Sequence, residues 1–112
     1  MNGQLNHSLN VKLICGDFDF LGSRGSGENL HARIVDEILE KKQSAIAVDF
    51  NGIEGVAHAF ADEVFGLMVT RFGISFLKEH IVLINANDTI KSMFNYAIRE
   101  RAKKLEGRVW IS

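Results

Sequence analysis

The run Ala45-Ile-Ala-Val-Asp-Phe-Asn-Gly-Ile-Glu-Gly-Val-Ala-His-Ala-Phe-Ala-Asp-Glu-Val-Phe-Gly66 decides how this chain folds. Its opening, Ala45 to Phe50, is apolar except at Asp49, the pattern of a central strand covered on both faces. A turn bearing Gly52 and Gly55 follows. A helix is then expected from about Ala59, with Phe60, Val64, Leu67, Met68 and Phe72 on its buried side. Strand, short loop and helix start together form the edge of a sheet at which α/β proteins concentrate their working residues. Asp49, at the strand end, is expected to hold that loop by accepting its amides.

Working outward, Gly73 is placed to stop the second helix, and 75–79 can add a short helical turn. Ile81-Val-Leu-Ile84 reads as a further strand. Asn87 or Asp88 can cap a third helix carrying Ile90, Met93, Phe94, Ala97, Ile98 and Leu105. Gly107 is expected to end it, and Val109-Trp-Ile111 to form a last strand. On the N-terminal side, Val11-Lys-Leu-Ile-Cys15 has the β-branched character of a strand ended by Gly16-Asp17, and Phe18, Phe20 and Leu21 an extended segment. The run Gly22-Ser-Arg-Gly-Ser-Gly27 interrupts all periodicity before a helix from about Glu28, with Leu30, Ile34, Val35, Ile38 and Leu39 on one face. Alternation of strand and helix, without proline, repeats or linkers, makes this one α/β domain over 11–112 behind a polar tail at 1–10.

Length and composition agree. At 112 residues the chain can bury a real core, and 46% hydrophobic with 24% charged residues is ordinary for a globular protein. A net charge of −1 gives no reason to expect nucleic acid or an anionic membrane as partner. The basic run 99–104, broken by Glu100 and Ala102, reads as a solvated helix face, because no aromatic stacking positions interleave with it. The apolar runs are too short to span a bilayer and the first ten residues contain no signal-peptide core, so a cytoplasmic location is expected. Cys15 is the only cysteine. Neither an intrachain disulfide nor a cysteine-rich metal site can form, and Cys15 reads as an inert core thiol.

Through Val48-Asp-Phe-Asn-Gly-Ile53 and Ala59-Phe-Ala-Asp-Glu-Val-Phe-Gly66, the chain resembles the STAS-like family of small bacterial domains of unknown function. These are relatives of the STAS domains of sulphate transporters and anti-sigma factor antagonists. The resemblance extends over about residues 10–112, with Asn85 closing the third strand and the helix at 89–106 in the same order. It implies a single domain with an about four-stranded, mostly parallel sheet and three main helices. It also implies a protein-interaction switch without cofactor, not an enzyme, whose partner would be a histidine-kinase-like ATPase or a sensor protein. In anti-sigma factor antagonists such a kinase phosphorylates a Ser at the start of the helix after the central strand. The added charge changes which partner fits. By position that site falls at or beside His58, where Ala57-His58-Ala59 supplies no hydroxyl.

The candidate docking surface is therefore the loop and helix at 52–66, with Gly55, His58, Asp62 and Glu63 as its polar or accessible members. His58 can be a docking or capping residue, or a phosphoacceptor or pH-sensing contact. Metal binding would need partners, and His7, His31 and His80 show no ligand spacing with it. Asp62 and Glu63 suit a first helical turn through the dipole. Adjacent positions diverge by about 100° on a helix, which rules out a face-to-face carboxylate dyad. A second reading takes Ser23, Arg24 and Ser26, in the glycine-rich run, as an anion-binding loop sharing an edge with His58, and so a small-ligand or phosphoryl site. That run lacks the Lys-Ser/Thr ending of a nucleotide P-loop. An open sheet also leaves strand edges, so monomer and homodimer both remain possible.

Overall fold

The computed structural model describes the backbone of residues 7–111 and side chains over 7–105. The elements in chain order are β1 (Ser8–Asn10), α1 (Val11–Cys15), β2 (Phe20–Leu21) and α2 (Arg24–Val35). α2 runs on into a π-helical stretch, Asp36–Glu40. Next come β3 (Ile46–Asp49), β4 (Gly55–Val56) and α3 (His58–Ala61), which continues through a second π-helical stretch, Asp62–Gly66, into α4 (Leu67–Phe72). α5 (Ile74–His80), β5 (Ile81–Ile84) and α6 (Asp88–Ile111) complete the fold. The expected α/β class holds, with all strand pairs parallel and divided between two small sheets.

β3 is the middle strand of the larger sheet, between β1 and β5, with Ala47 opposite both Ser8 and Val82. Ile46, Ala47 and Val48 are buried, as expected for a strand covered on both faces. Asp49 Oδ1 accepts from Asn51 N and from Asn85 Nδ2, both at 2.9 Å, and so ties the turn after β3 to the end of β5. Gly73 ends α4 with φ 90°, a backbone angle that costs glycine little. Asn87 Oδ1 accepts from Ile90 N at 2.9 Å and caps α6. Phe94 of α6 meets Phe50 and Phe65 edge-on, at centroid distances of 5.4 and 4.7 Å, in the middle of the core. Each such ring contributes about 1.5–3 kcal/mol by burial.

Four expectations are corrected. Val11–Cys15 is a helix: Asn10 Oδ1 accepts from Leu13 N at 3.1 Å as its cap, and Gly16, at φ 115°, stops it. Local capping thus overrides the strand propensity of its β-branched residues. The strand lies just before it, so 8–10 belongs to the sheet and not to a tail; residues 1–6 lie outside the described residues. α2 begins at Arg24 instead of Glu28, because Ser23 Oγ accepts from Ser26 N at 3.1 Å and caps it. Finally, α6 runs on through Ile111, so Gly107 does not end it and Val109–Ile111 is not a strand. A glycine inside a helix costs only about 1 kcal/mol, too little to stop one that is already long.

Candidate functional site

The site is built where two chain segments leave the smaller sheet together. β2 and β4 pair in parallel, with Phe20 opposite Gly55 and Leu21 opposite Val56. Ala57 N then donates to Leu21 O at 2.9 Å. Parallel pairing makes both strands end on the same edge, so the starts of α2 and α3 lie side by side, as the second reading required. The exposed ring of Phe20 lies over this corner. A Cβ at Gly55 would stand 3.2 Å from that ring, and one at Gly22 3.4 Å from it.

His58 opens α3 and is exposed. Its ring meets Tyr96 of α6 edge-to-face, with centroids 5.2 Å apart. The two share an open hollow of about 490 Å³ with Asp88, Thr89, Ser92 and Met93. The hydroxyls of Thr89 and Ser92 thus stand in the same depression as His58, although Ala57 and Ala59 carry none. Tyr96 is 48% exposed and Phe20 56%. Aromatic side chains left this open around one corner are the usual raw material of a docking surface.

Asp62 lies one turn beyond His58 but points the other way. It is 6% exposed and forms a fork with Arg101: Nε donates to Oδ1 and Nη2 to Oδ2, both at 2.8 Å. Arg24 Nη1 donates to Asp62 Oδ2 at 3.2 Å and to Glu63 Oε1 at 3.0 Å. The Arg101 hydrogen bonds, aided by Arg24, outweigh burial and hold the Asp62 carboxyl down at about 2. This carboxylate joins α2, the π-helical stretch and α6. Asp62 is therefore an internal keystone and not a docking residue.

Glycines make room for this junction. A Cβ at Gly66 would fall on Asp62 Oδ1, and one at Gly27 would stand 2.8 Å from Glu63 Cβ and 3.0 Å from the Phe60 carbonyl oxygen.

The remaining candidates separate in the same way. Gly55 is buried beneath Phe20, so it shapes the surface without presenting itself to a partner. Glu63 is largely covered and ion-paired to Arg24. Ser23 caps α2, Ser26 exchanges a hydroxyl contact with Ser23 at 3.2 Å, and Arg24 faces two carboxylates. The expected glycine-rich loop is thus a cap and first helical turn. Its charge is already balanced, and its Gly27 serves a helix crossing.

Arg101 shows the same inward turn. It lies within the basic run read as a solvated face, yet it reaches Asp62. Cys15 is partly buried, its Sγ lies 3.5 Å from the Ser26 carbonyl oxygen, and burial pushes the thiol up to about 11, in keeping with an unreactive role.

Sequence reasoning passed over His31, which is 8% exposed. Its Nδ1 lies 2.9 Å from Val64 O and its Nε2 2.7 Å from Arg71 Nη1. A carbonyl only accepts and a guanidinium only donates, which assigns the proton to Nδ1. The signal was present: His31 occupies the buried stripe that runs through Gly27, Leu30 and Ile34. Tyr96 was legible less directly, as a member of the α6 face with Thr89, Ser92 and Met93.

Comparison with protein families matches residues 26–91 to the STAS-like domain of unknown function (DUF4325). The match covers more than half of the 112 residues. The chain belongs to this family. No curated protein and no solved structure matches it significantly. The STAS-like match takes in β3, β4, α3 and His58, whereas Tyr96 and Arg101 lie beyond it. Among the described residues, no helix is long and apolar enough to cross a membrane.

Proposed function

We propose that this STAS-like domain is a regulatory module that docks a protein partner on the corner formed by Phe20, His58 and Tyr96. The observation that carries the reading is the exposure of these three rings around one strand-to-helix edge, beside an Arg24, Asp62 and Glu63 cluster whose charges are paired with one another and with Arg101. Open aromatic surface gives a partner large contact area at small entropic cost, and His58 adds a polar, orientable group at its centre. Membership in a STAS-like family supports the choice of an interaction role, and the partner class we propose is a histidine-kinase-like ATPase or a sensor protein.

Relative to the surface first expected, the docking residues move. His58 stays, Asp62 and Gly55 leave, and the aromatics of β2 and α6 replace them. Affinity capture from cells, with the full chain as bait, tests this. The wild type is expected to retain such an ATPase or sensor, and a His58→Ala/Tyr96→Ala bait with an unchanged circular dichroism spectrum is expected to lose it. Equal capture by both baits would sink the proposed surface.

A further inference from the structure

The far edge of the larger sheet is open. β5 pairs with β3 alone, and Ile84 O accepts from Phe50 N at 3.0 Å. Backbone groups alternate along a strand, so Ile84 and Val82 face β3 while those of Ile81 and Leu83 face away from it. The Ile81 N–H donates to Leu77 O at the end of α5, which leaves the Ile81 C=O and both groups of Leu83 for the edge. No strand among the described residues meets them.

Along that edge runs an open groove of about 310 Å³ between α5 and α6, lined by Phe65, Leu77, Ile81, Leu83, Phe94 and Ile98. Among the described residues, the charged ones that line it are Lys78 of α5 and Lys91 of α6, both exposed. The groove therefore offers unpaired strand backbone, apolar side-chain pockets and positive charge without a carboxylate.

We propose that this edge takes up an extended segment of a protein partner as an added strand, with apolar side chains at alternate positions and carboxylates meeting Lys78 and Lys91. The backbone of such a segment would pair with the Ile81 carbonyl and with both groups of Leu83, its alternate side chains would enter the groove, and its charge would complement the rim. A second copy of this chain fits poorly. Two-fold pairing of β5 edges would bring the lysines of both copies together, and like charges across a strand pair destabilise it. The groove shares no residue with the corner around His58, so the two surfaces stand or fall separately.

The test uses a fluorescein-labelled peptide of alternating valine and threonine with glutamates at both ends, and a twin with lysines in their place. Fluorescence anisotropy with the full chain should show the glutamate peptide binding. Lys78→Glu/Lys91→Glu should weaken it by about tenfold or more and favour the lysine twin instead. Both lysines are exposed, so the variant should fold, which thermal melting verifies. In the complex, the amide of Leu83 should shift in nuclear magnetic resonance spectra and exchange more slowly with solvent. Three results would overturn the proposal: no binding by either peptide, equal binding of both by the wild type, or shifts mapped away from β5. A concentration-dependent dimer that the peptide dissolves would assign the edge to self-association and would overturn it equally.

Discussion

His58 and Asp62 are four residues apart and were expected to serve one surface, but the fold gives them opposite tasks. His58 stands in the open, and its aromatic neighbour Tyr96 is itself half exposed. Asp62 is closed off, with both carboxylate oxygens taken by Arg101 and one also by Arg24. Polar character alone therefore says little about role. What separates the two is whether a partner already exists within the chain: a charge that is satisfied internally holds the fold, and an aromatic group left open is available to something else.

Removing Asp62 tests this division most severely. Asp62→Ala leaves the Arg101 guanidinium without its fork partner at a largely covered site. It is expected to cost about 3–5 kcal/mol, the usual penalty for breaking a buried pair from one side. Urea titration followed by circular dichroism measures it, and a loss below 1 kcal/mol would show that the junction is not a keystone. Next comes the crossing that the junction depends on. Gly27→Leu must push α2 away from Phe60 and Glu63, with an expected loss of about 3 kcal/mol, at the upper end of overpacking. A melting temperature equal to that of the wild type would mean that the helices part freely.

Acid probes the same carboxylate without mutation. The folded Asp62 titrates near 2, below its unfolded value of about 3.8. Its contribution is therefore fully present above pH 4 and is lost as the pH falls from about 4 to 2. The difference corresponds to about 2 kcal/mol. Unfolding free energies measured across that window should show this loss in the wild type, and Asp62→Asn should flatten it. An unchanged slope in Asp62→Asn would assign the acid sensitivity to other groups.

At the open end of the comparison the expected change is smallest. His58→Ala removes one edge-to-face contact and should alter stability by about 0.5 kcal/mol while abolishing partner capture. A loss of several kcal/mol there would make His58 structural, and the contrast with Asp62 would collapse.

The parts of the fold that sequence disclosed are those governed by neighbours in the chain. Val48 within its apolar run, Gly73 as a stop and Asn87 as a cap each act through residues a few positions away, and the structure places them as expected. The strand-like run Val11–Cys15 failed for a local reason as well: one side-chain cap from Asn10 outweighed the preference of its β-branched residues. The candidate site was harder to read. Asp62 looked like an ordinary first-turn acid because its true partners, Arg24 and Arg101, are 38 and 39 residues away. Likewise Gly27 resembled part of a phosphate loop because the helix it accommodates comes more than 30 residues later. Periodicity reports which face is buried. It does not report which two faces will meet.

The π-helical stretch at Asp62–Gly66 has a consequence for how this segment tolerates change in length. Such a stretch amounts to one extra residue carried inside an otherwise α-helical rod. The extra residue is taken up within one wide turn, so Met68 and Val69 beyond it keep the facing into the core that a regular helix would give them. Deleting one residue between 62 and 66 would regularise the helix and leave its two halves facing nearly as before. A one-residue change of length is therefore better tolerated in this stretch than at a regular turn of the same rod, where it would swing everything beyond it by about 100°.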